Sequence, residues 1–293
     1  MKSFSTFHPS ILFLYYVSVI FVTMFTMNPI LLVFSLFGSI IFFIMMHPLK
    51  VILKDIGFYS LVFILISITN PIFSHNGETI LFFLNDNPVT LEAIIYGIFI
   101  ATMLTSIIFW SKSYSELMTS DKFIYLFGKA IPKLSLVISM SLRFIPMFKR
   151  QIKKVHQVQK TLGLYTSNSI TDRVFSSFRV FSSILTWSFE NAINQADSMK
   201  ARGYGLKGRT NFSLFQWYKR DVWMIVIISL LILSLIIGFY QQQFEFNYYP
   251  VISSLHFSTK DFVQYMIAFI LMVIPFGIEV KENIKWKLLR SKI

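Results

Sequence analysis

The 293-residue chain is 55% hydrophobic and carries charge on only 14% of its residues, against about a quarter in soluble domains. This composition excludes a water-soluble protein, and the absence of cysteine excludes disulfides, thiol catalysis and cysteine-bound metals. The net charge of +13 is compatible with nucleic acid, an anionic lipid surface or an acidic partner, and the distribution of that charge decides among them.

Six apolar segments approach the roughly 20 residues that a helix needs to cross a bilayer. They are Ser10–Met27, Pro29–Met46, Ile56–Phe73, Leu91–Trp110, Val222–Tyr240 and Phe262–Ile278. The first has no strong basic region before it and no small-residue cleavage site after it, so we interpret it as a retained span. We predict an all-α, polytopic integral membrane protein. Residues 1–110 hold four spans, 111–220 form a cytoplasmic domain, and 221–293 hold two spans and a basic tail.

Lysine and arginine are distributed unevenly along the chain. Residues 111–220 contain 18 of the 27, and five more follow the sixth span, whereas segments 74–90 and 241–258 contain none. Because cytoplasmic loops carry the excess of Lys and Arg in membrane proteins, this asymmetry predicts that both termini lie in the cytoplasm. Lys260, at the outer edge of the sixth span, is the one exception.

The span interiors lack Asp, Glu, Lys, Arg and His. Glu92, Asp221, Asp261 and Glu279 lie at or beside the span ends. Ion-coupled carriers and pumps usually place ionisable groups at mid-membrane, and this chain offers none there. A neutral pathway lined by Ser, Thr and aromatic side chains stays open, as an alternative to spans that only pack against lipid and other subunits.

The cytoplasmic domain begins with a short amphipathic pattern at 121–128, followed by a long helix predicted from Pro132 to about Leu162. Apolar residues recur every three or four positions along it, which predicts one buried stripe opposite a basic face. Pro146 removes a backbone hydrogen bond and is expected to kink this helix. The stripe consists of Leu142, Ile145, Phe148, Ile152, Val155, Val158 and Leu162, and the basic face of Lys149, Arg150, Lys153, Lys154 and Lys160.

A second amphipathic helix follows Gly163 and the polar residues 166–171, with Ser169 or Thr171 as its expected N-cap. We expect its apolar stripe to cross or pack on the stripe of the first helix. The second helix is predicted to end at residues 202–205, because glycine takes the left-handed conformation that stops a helix. Its stripe consists of Phe178, Phe181, Leu185, Phe189, Ala192, Ala196 and Met199.

The end of the second helix places Arg202 between two small residues, Ala201 and Gly203. Small neighbours let the surface of a partner approach closely, and the planar guanidinium group matches carboxylates. This pattern favours a protein partner. Contact with anionic lipid is the alternative interpretation for the basic faces of the two helices.

These residues resemble the transmembrane T component of energy-coupling factor (ECF) transporters, the EcfT/CbiQ family. The resemblance is concentrated between about residues 120 and 210, and the order of the spans agrees with it elsewhere. The matching segments are 141–146 (SLRFIP), Gln159-Lys160, 188–190 (SFE), 196–204 (ADSMKARGY) and 208–210 (GRT), ahead of Asp221.

The resemblance implies a scaffold in the bacterial plasma membrane that is not an enzyme and has no cofactor or metal of its own. In that family the T component joins a substrate-binding membrane subunit, the S component, to two cytosolic ABC-type ATPases, a homo- or heterodimer. Two coupling helices end in small-Arg-small tips that insert into grooves on the ATPases. The S component selects the imported solute, which leaves a vitamin, a transition metal or another micronutrient open.

The resemblance assigns ATPase coupling to two tips, Thr161-Leu162-Gly163 and Ala201-Arg202-Gly203. Only the second matches the motif in full, because Leu162 occupies the arginine position of the first. Three explanations stay open: Lys160 or a neighbouring base compensates, one ATPase contact is apolar, or the alignment is displaced by one or two residues. The supporting positions on the coupling helices are Arg143, Lys160, Glu190, Met199 and Tyr204.

Other classes of function have less support in the sequence. A membrane enzyme acting on lipid or cofactor headgroups would need clustered carboxylates or histidines, and no two histidines have metal-ligand spacing. A self-sufficient channel or carrier is a further alternative. Nucleic acid is the weakest partner, because no binding module surrounds the basic faces. We expect each histidine to be a polar surface or interfacial residue, namely His8, His47, His75, His156 and His256.

Overall fold

The computed structural model describes residues 3–84, 86–128, 131–163, 170–206, 215–253 and 258–290. Within these ranges the chain forms nine α-helices, one 3-10 turn at Ser3–Thr6 and one β-hairpin. The predicted all-α, polytopic membrane fold is confirmed. The helices are α1 (Pro9–Phe25), α2 (Pro29–Met46), α3 (Leu49–Phe73), α4 (Leu91–Leu117), α5 (Ser120–Gly128), α6 (Pro132–Thr161), α7 (Ile170–Ala201), α8 (Lys219–Tyr240) and α9 (Thr259–Arg290).

Five helices are long and apolar enough to cross a membrane, namely α2, α3, α4, α8 and α9. The sixth predicted span corresponds to α1, which is equally apolar but has only 17 residues. At 1.5 Å per residue such a helix is roughly 26 Å long, slightly less than the approximately 30 Å of a typical hydrocarbon core. All six predicted spans are therefore helices, and α1 is the shortest of them.

Several helices continue past the apolar segments that predicted them. α4 ends at Leu117 instead of Trp110, and α9 ends at Arg290 instead of Ile278. Glu, Lys, Leu and Arg propagate a helix well, so the end of an apolar run does not end the helix. Glu279, expected beside the end of a span, is consequently a mid-helix residue, and it is only 5% exposed.

A β-hairpin that the sequence did not predict connects α3 to α4. Strand β1 (Ile80–Leu84) pairs antiparallel with β2 (Asn87–Thr90). Directly after β2, the buried Glu92 carboxylate accepts hydrogen bonds from both the backbone N–H and the hydroxyl group of Thr79. These bonds attach the base of the hairpin to the first turn of α4.

The described residues divide into two compact units according to their internal contacts. Unit 1 consists of Met1–Lys122 and Phe215–Ile293, and unit 2 of Phe123–Leu214. Unit 1 contains every helix that is long and apolar enough to span a membrane. Unit 2 contains α6 and α7, the two long helices that the sequence predicts to be amphipathic.

The core of unit 1 is aromatic and centres on Trp110 of α4, which is fully buried. Its ring lies edge-on to Tyr15 and Tyr16, each at a centroid distance of 6.1 Å, and stacks on Phe42 at 6.4 Å. Its indole N–H donates to the hydroxyl oxygen of Ser35 at 3.1 Å. A buried indole N–H needs such a partner, so one side chain joins α1, α2 and α4.

A tight turn around Asn28 connects α1 to α2. The Asn28 side chain accepts a hydrogen bond from the backbone N–H of Ile30 at 3.1 Å and so caps α2. Its amide group also donates to the Tyr265 hydroxyl at 2.9 Å, which links this turn to α9. The Tyr248 hydroxyl donates to the carbonyl oxygen of Met27 at 2.8 Å, so the loop after α8 closes over the same end of unit 1.

At the other end of unit 1, residues 3–8 form a segment that we call the N-terminal anchor. Glu279 of α9 accepts a hydrogen bond from the Phe4 N–H at 3.0 Å. The Lys122 ammonium group donates to the Ser5 carbonyl oxygen at 2.7 Å. Arg220 of α8 donates to the Thr6 carbonyl oxygen at 2.9 Å. The three side chains come from distant parts of the chain, which therefore converge on this segment.

Two further contacts tighten the N-terminal anchor. His8 is only 4% exposed and stacks on Trp217 with a ring-centroid distance of 3.9 Å. Lys122 also donates to the Leu117 carbonyl oxygen at 3.0 Å, and burial lowers the pKa of its ammonium group. Lys122 immediately precedes unit 2 in sequence and Trp217 closely follows it. The anchor thus holds both points at which the chain leaves and re-enters unit 1.

Two polar contacts join the ends of α2, α3 and α4. The His47 ring is hydrogen-bonded to Glu116, and Lys112 forms an ion pair with Asp55 while lying over the Phe43 ring, 5.2 Å from its centroid. The His47 side chain is largely buried by this arrangement. Of the two positions expected for the histidines, surface or membrane interface, the surface position is therefore wrong for His47 and for His8, because both side chains are buried against a neighbouring element.

Candidate functional site

The two helices of unit 2 have the predicted bounds to within a few residues. α6 has 30 residues and is continuous through Pro146, and α7 has 32 residues. They touch where the Trp187 ring meets the Phe148 ring edge-on, with centroids 5.6 Å apart. Thr171 lies inside α7, so its predicted role as N-cap is wrong, and the alternative cap, Ser169, lies outside the described residues.

Most of the apolar side chains predicted to form buried stripes are exposed. Phe148 and Val155 of α6 and Met199 of α7 are half-buried. Two long helices that touch around one ring pair shield only the side chains at that contact, so the burial predicted for the rest of each stripe is wrong. The exposed members are Leu142, Ile145, Ile152, Val158 and Leu162 on α6, and Phe178, Phe181, Leu185, Phe189, Ala192 and Ala196 on α7.

The first tip, Thr161-Leu162-Gly163, ends α6 in a glycine-capped turn. The Leu162 N–H donates to the Val158 carbonyl oxygen at 3.0 Å, and the Gly163 N–H donates to the Lys160 carbonyl oxygen at 3.1 Å. Gly163 has φ = 75°, in the left-handed region that favours glycine. The Leu162 side chain is 69% exposed.

The second tip, Ala201-Arg202-Gly203, ends α7 in the same way. The Gly203 N–H donates to the Lys200 carbonyl oxygen at 2.9 Å, and the Tyr204 N–H donates to the Met199 carbonyl oxygen at 3.0 Å. Gly203 has φ = 78°. This pair of bonds is the Schellman motif, and it satisfies carbonyl groups that the end of a helix leaves without partners. The predicted glycine stop is confirmed, and it leaves Arg202 exposed.

The hydrogen bonds make the two tips equivalent position by position. In each, the glycine N–H bonds to the carbonyl oxygen of a lysine three residues earlier, Lys160 in one tip and Lys200 in the other. Leu162 and Arg202 therefore occupy the same C-cap position. Leu162 and Arg202 can therefore be aligned with each other without shifting the motif by one or two residues.

The supporting positions fall into two groups. The backbones of Lys160, Met199 and Tyr204 make the hydrogen bonds that close the two caps. Arg143 and Glu190 lie within α6 and α7, well before the tips, with exposed side chains. Lys160, Met199 and Tyr204 therefore help to shape the tips directly. Arg143 and Glu190 do not lie at the tips.

Two contacts at the second tip were not predicted from the sequence. Lys200 forms an ion pair with Asp197, at 3.9 Å, one turn before the tip. Leu206 covers the glycine, since a Cβ atom added at Gly203 would lie 2.9 Å from Leu206 Cδ1. An apolar residue three positions after a helix-ending glycine was the available signal for this cover. Both charged side chains of the ion pair are exposed, so it adds little stability.

Within the described ranges, no three His, Asp or Glu side chains come together in a way that could hold a metal ion. What the structure does place at the tips is a guanidinium group at one and an aliphatic side chain at the other, both on rigid, capped turns.

The chain is a polytopic helical membrane protein that also has a pair of long amphipathic helices, and each of these two helices ends in an exposed tip. Residues 3–214 match the CbiQ family, described as cobalt transport protein. The chain therefore belongs to the CbiQ family, as the resemblance in its sequence indicated. The matched region includes both tips and ends before α8.

Curated relatives carry the name energy-coupling factor transporter transmembrane protein EcfT. The one from Listeria innocua is 30% identical over 140 residues, which is 47% of this chain and 52% of the relative. EcfT 1 of Listeria monocytogenes is 27% identical over 202 residues, covering 64% and 75% respectively. EcfT of Bacillus subtilis is 32% identical over 111 residues, covering 37% and 41%. The chain spans about half the length of the first of these relatives.

Proposed function

We propose that this chain is the T component of an ECF-type ABC importer. In this role it is a scaffold in the bacterial plasma membrane that links two cytosolic ABC-type ATPases, as a homo- or heterodimer, to a membrane-embedded S component. ATP hydrolysis belongs to the ATPases, and this chain is not an enzyme. The family of the chain and the printed names of its relatives support this assignment.

The observation that carries the proposal is the shape of unit 2. Two long helices end in equivalent glycine-capped turns, and each turn exposes the side chain at its C-cap position, Leu162 or Arg202. A capped turn holds the backbone of that residue at a fixed position, so little backbone entropy is lost when a partner binds. We assign both tips to the ATPases.

The exposed apolar faces of α6 and α7 support a second partner. Three phenylalanine side chains of α7 are each more than half exposed, namely Phe178, Phe181 and Phe189. Contiguous apolar surface of this kind marks an interaction site for a protein or a membrane. We assign this surface to the S component, so that movement of the tips on the ATPases is transmitted along the helices to the subunit that holds the solute.

The N-terminal anchor supports the proposed orientation, with both termini in the cytoplasm. Ser5 contacts Lys122, and Thr6 contacts Arg220, so the N-terminus lies at the same end of unit 1 as both connections to unit 2. The excess of Lys and Arg in 111–220 supports a cytoplasmic position for that end. The turn at Asn28 lies at the other end and carries no basic residue.

The solute is assigned as a micronutrient, such as a vitamin or a transition metal ion. In the proposed complex the S component selects it, so the T component needs no solute site of its own. This division of labour predicts that the same chain supports uptake of whichever solute its S component binds.

Affinity purification in mild detergent from the native membranes, followed by mass spectrometry, tests the proposal. We expect two ABC-type ATPase subunits and a small membrane subunit to co-purify. Removing one partner of a buried charge pair costs about 2–5 kcal/mol, so Arg202→Glu should lose the ATPases. Arg179→Glu, an equally exposed arginine on the same helix, is the matched control and should keep them.

Two results would contradict the proposal. One is a wild-type complex without any ABC-type ATPase. The other is solute flux through the purified chain alone in liposomes, which would instead support a self-sufficient channel or carrier. Retention of both ATPases by Arg202→Glu would contradict only the role given to that residue.

A further inference from the structure

The two tips share one backbone geometry but present different chemistry. Leu162 and Arg202 occupy the same position relative to a left-handed glycine and to a lysine carbonyl oxygen. The difference between the tips is therefore a difference of side chains alone. A groove that fits one of these turns fits the backbone of the other as well, so only the lining of the groove can distinguish them.

The residues one turn earlier extend this difference. Residues four positions apart lie on the same face of a helix, which places Val158 beside Leu162 and Ser198 beside Arg202. Val158 is 56% exposed and Leu162 is 69% exposed. The first tip thus presents a continuous aliphatic surface, whereas the second presents a cation next to a hydroxyl group.

Lys160 does not replace the missing arginine of the first tip. Its carbonyl oxygen accepts the glycine N–H in the first tip, as that of Lys200 does in the second. Lys160 is therefore the counterpart of Lys200, and the second tip has this lysine in addition to Arg202. The first tip lacks one cation relative to the second, and nothing at an equivalent position restores it.

We infer that the two tips bind chemically different grooves, an acidic groove for Arg202 and an apolar groove without a buried carboxylate for Leu162. This inference rests on the proposed function, in which both grooves belong to the ATPase subunits. A leucine in an acidic groove would leave a desolvated carboxylate without a partner, and an arginine in an apolar groove would bury an unpaired charge. The tips are therefore not interchangeable.

Substitutions at Leu162 separate an apolar groove from an acidic one. Leu162→Arg recreates at the first tip the side chain of the second, and we expect at least a tenfold loss of co-purified ATPase. Leu162→Met keeps the volume and apolar character and should retain the ATPases within about twofold. Because Leu162 is exposed, neither variant should unfold, and recovery of the S component in the same purification reports this.

Photo-cross-linking gives an independent test that leaves Leu162 and Arg202 intact. A photoreactive amino acid is placed at Thr161 or at Ala201, the complex is irradiated, and the linked ATPase peptides are sequenced. The Ala201 probe should mark a groove that contains Asp or Glu. The Thr161 probe should mark a different sequence, with apolar residues and no carboxylate in the groove.

The inference would be overturned if Leu162→Arg bound the ATPases as well as or better than the wild type. An equal loss for Leu162→Met and Leu162→Arg, or two probes that mark the same acidic groove, would also overturn it. These outcomes differ from failure of the proposed function, which would appear as a wild-type complex that contains no ATPase.

Discussion

The N-terminal anchor and the coupling helices differ in where their partners lie. In the anchor, Phe4, Ser5 and Thr6 form hydrogen bonds with side chains from three distant parts of the same chain. On α6 and α7, most large apolar side chains have no cover within the described residues. The comparison indicates that the N-terminal anchor is completed within the chain, whereas the apolar faces of α6 and α7 are left uncovered and, under the proposed function, are available to other subunits.

The largest expected effect is in the core of unit 1. Trp110→Ala removes a fully buried indole that contacts three other rings, so we expect the free energy of unfolding to fall by about 3–5 kcal/mol. Denaturation in mixed micelles, followed by circular dichroism, measures this change. Trp223→Ala, at an exposed tryptophan on α8, is the control, and a fall as large as that of Trp110→Ala would contradict the assigned core.

The next effect concerns the N-terminal anchor. Glu279→Ala leaves the buried Phe4 N–H without its acceptor, and we expect a loss of about 1–3 kcal/mol, with faster amide exchange at residues 3–8. Glu282→Ala, a more exposed position on the same helix, should change neither quantity. Unchanged exchange at residues 3–8 in Glu279→Ala would show that the anchor does not depend on this carboxylate.

A smaller effect is expected at the second tip. Gly203 has φ = 78°, a conformation that costs other residues about 1–2 kcal/mol, so Gly203→Ala should loosen the cap. Amide exchange at residues 203 and 204 measures it directly. Gly57→Ala lies within α3 with open space around its Cβ position, and there we expect a slight stabilisation instead. Equal signs at the two positions would argue against the left-handed cap.

The smallest effect on stability is expected on the exposed face of α7. Phe189→Ser should change the free energy of unfolding by no more than about 0.5 kcal/mol, because its ring is 68% exposed. Its loss should appear in the amount of S component that co-purifies. Trp187→Ala, two residues earlier and in contact with Phe148, should instead destabilise the helix pair. A larger loss of stability for Phe189→Ser than for Trp187→Ala would contradict the assignment of Phe189 to the exposed face of α7 and of Trp187 to the contact with α6.

The sequence predicted those parts of the fold that depend on local pattern. Periodicity located α6 and α7, and Gly163 and Gly203 marked their ends, because a helix stop is encoded within a few residues. Periodicity also showed that one face of each helix is apolar. It could not show what covers that face, and the predicted burial failed for that reason.

Other parts depend on contacts between distant residues and were not predictable in this way. The bond between Phe4 and Glu279 joins residues 275 positions apart, and no local pattern encodes it. Strand β1 is a run of five apolar residues, Ile80–Leu84, without the alternation that usually marks a strand. At the candidate site, the sequence identified Leu162 as the exception, but the cap hydrogen bonds were needed to match it with Arg202.

The central claim is that the tips of α6 and α7 bind ATPases through their exposed side chains. The most direct measurement is the Kd of the purified ATPase dimer for the wild-type chain and for Arg202→Glu, in the same detergent. Loss of a buried charge pair predicts a Kd at least roughly 30-fold higher for Arg202→Glu, with Arg179→Glu unchanged. Equal Kd values for the wild type and Arg202→Glu would contradict the claim for the tip of α7, where the guanidinium group of Arg202 is the proposed contact.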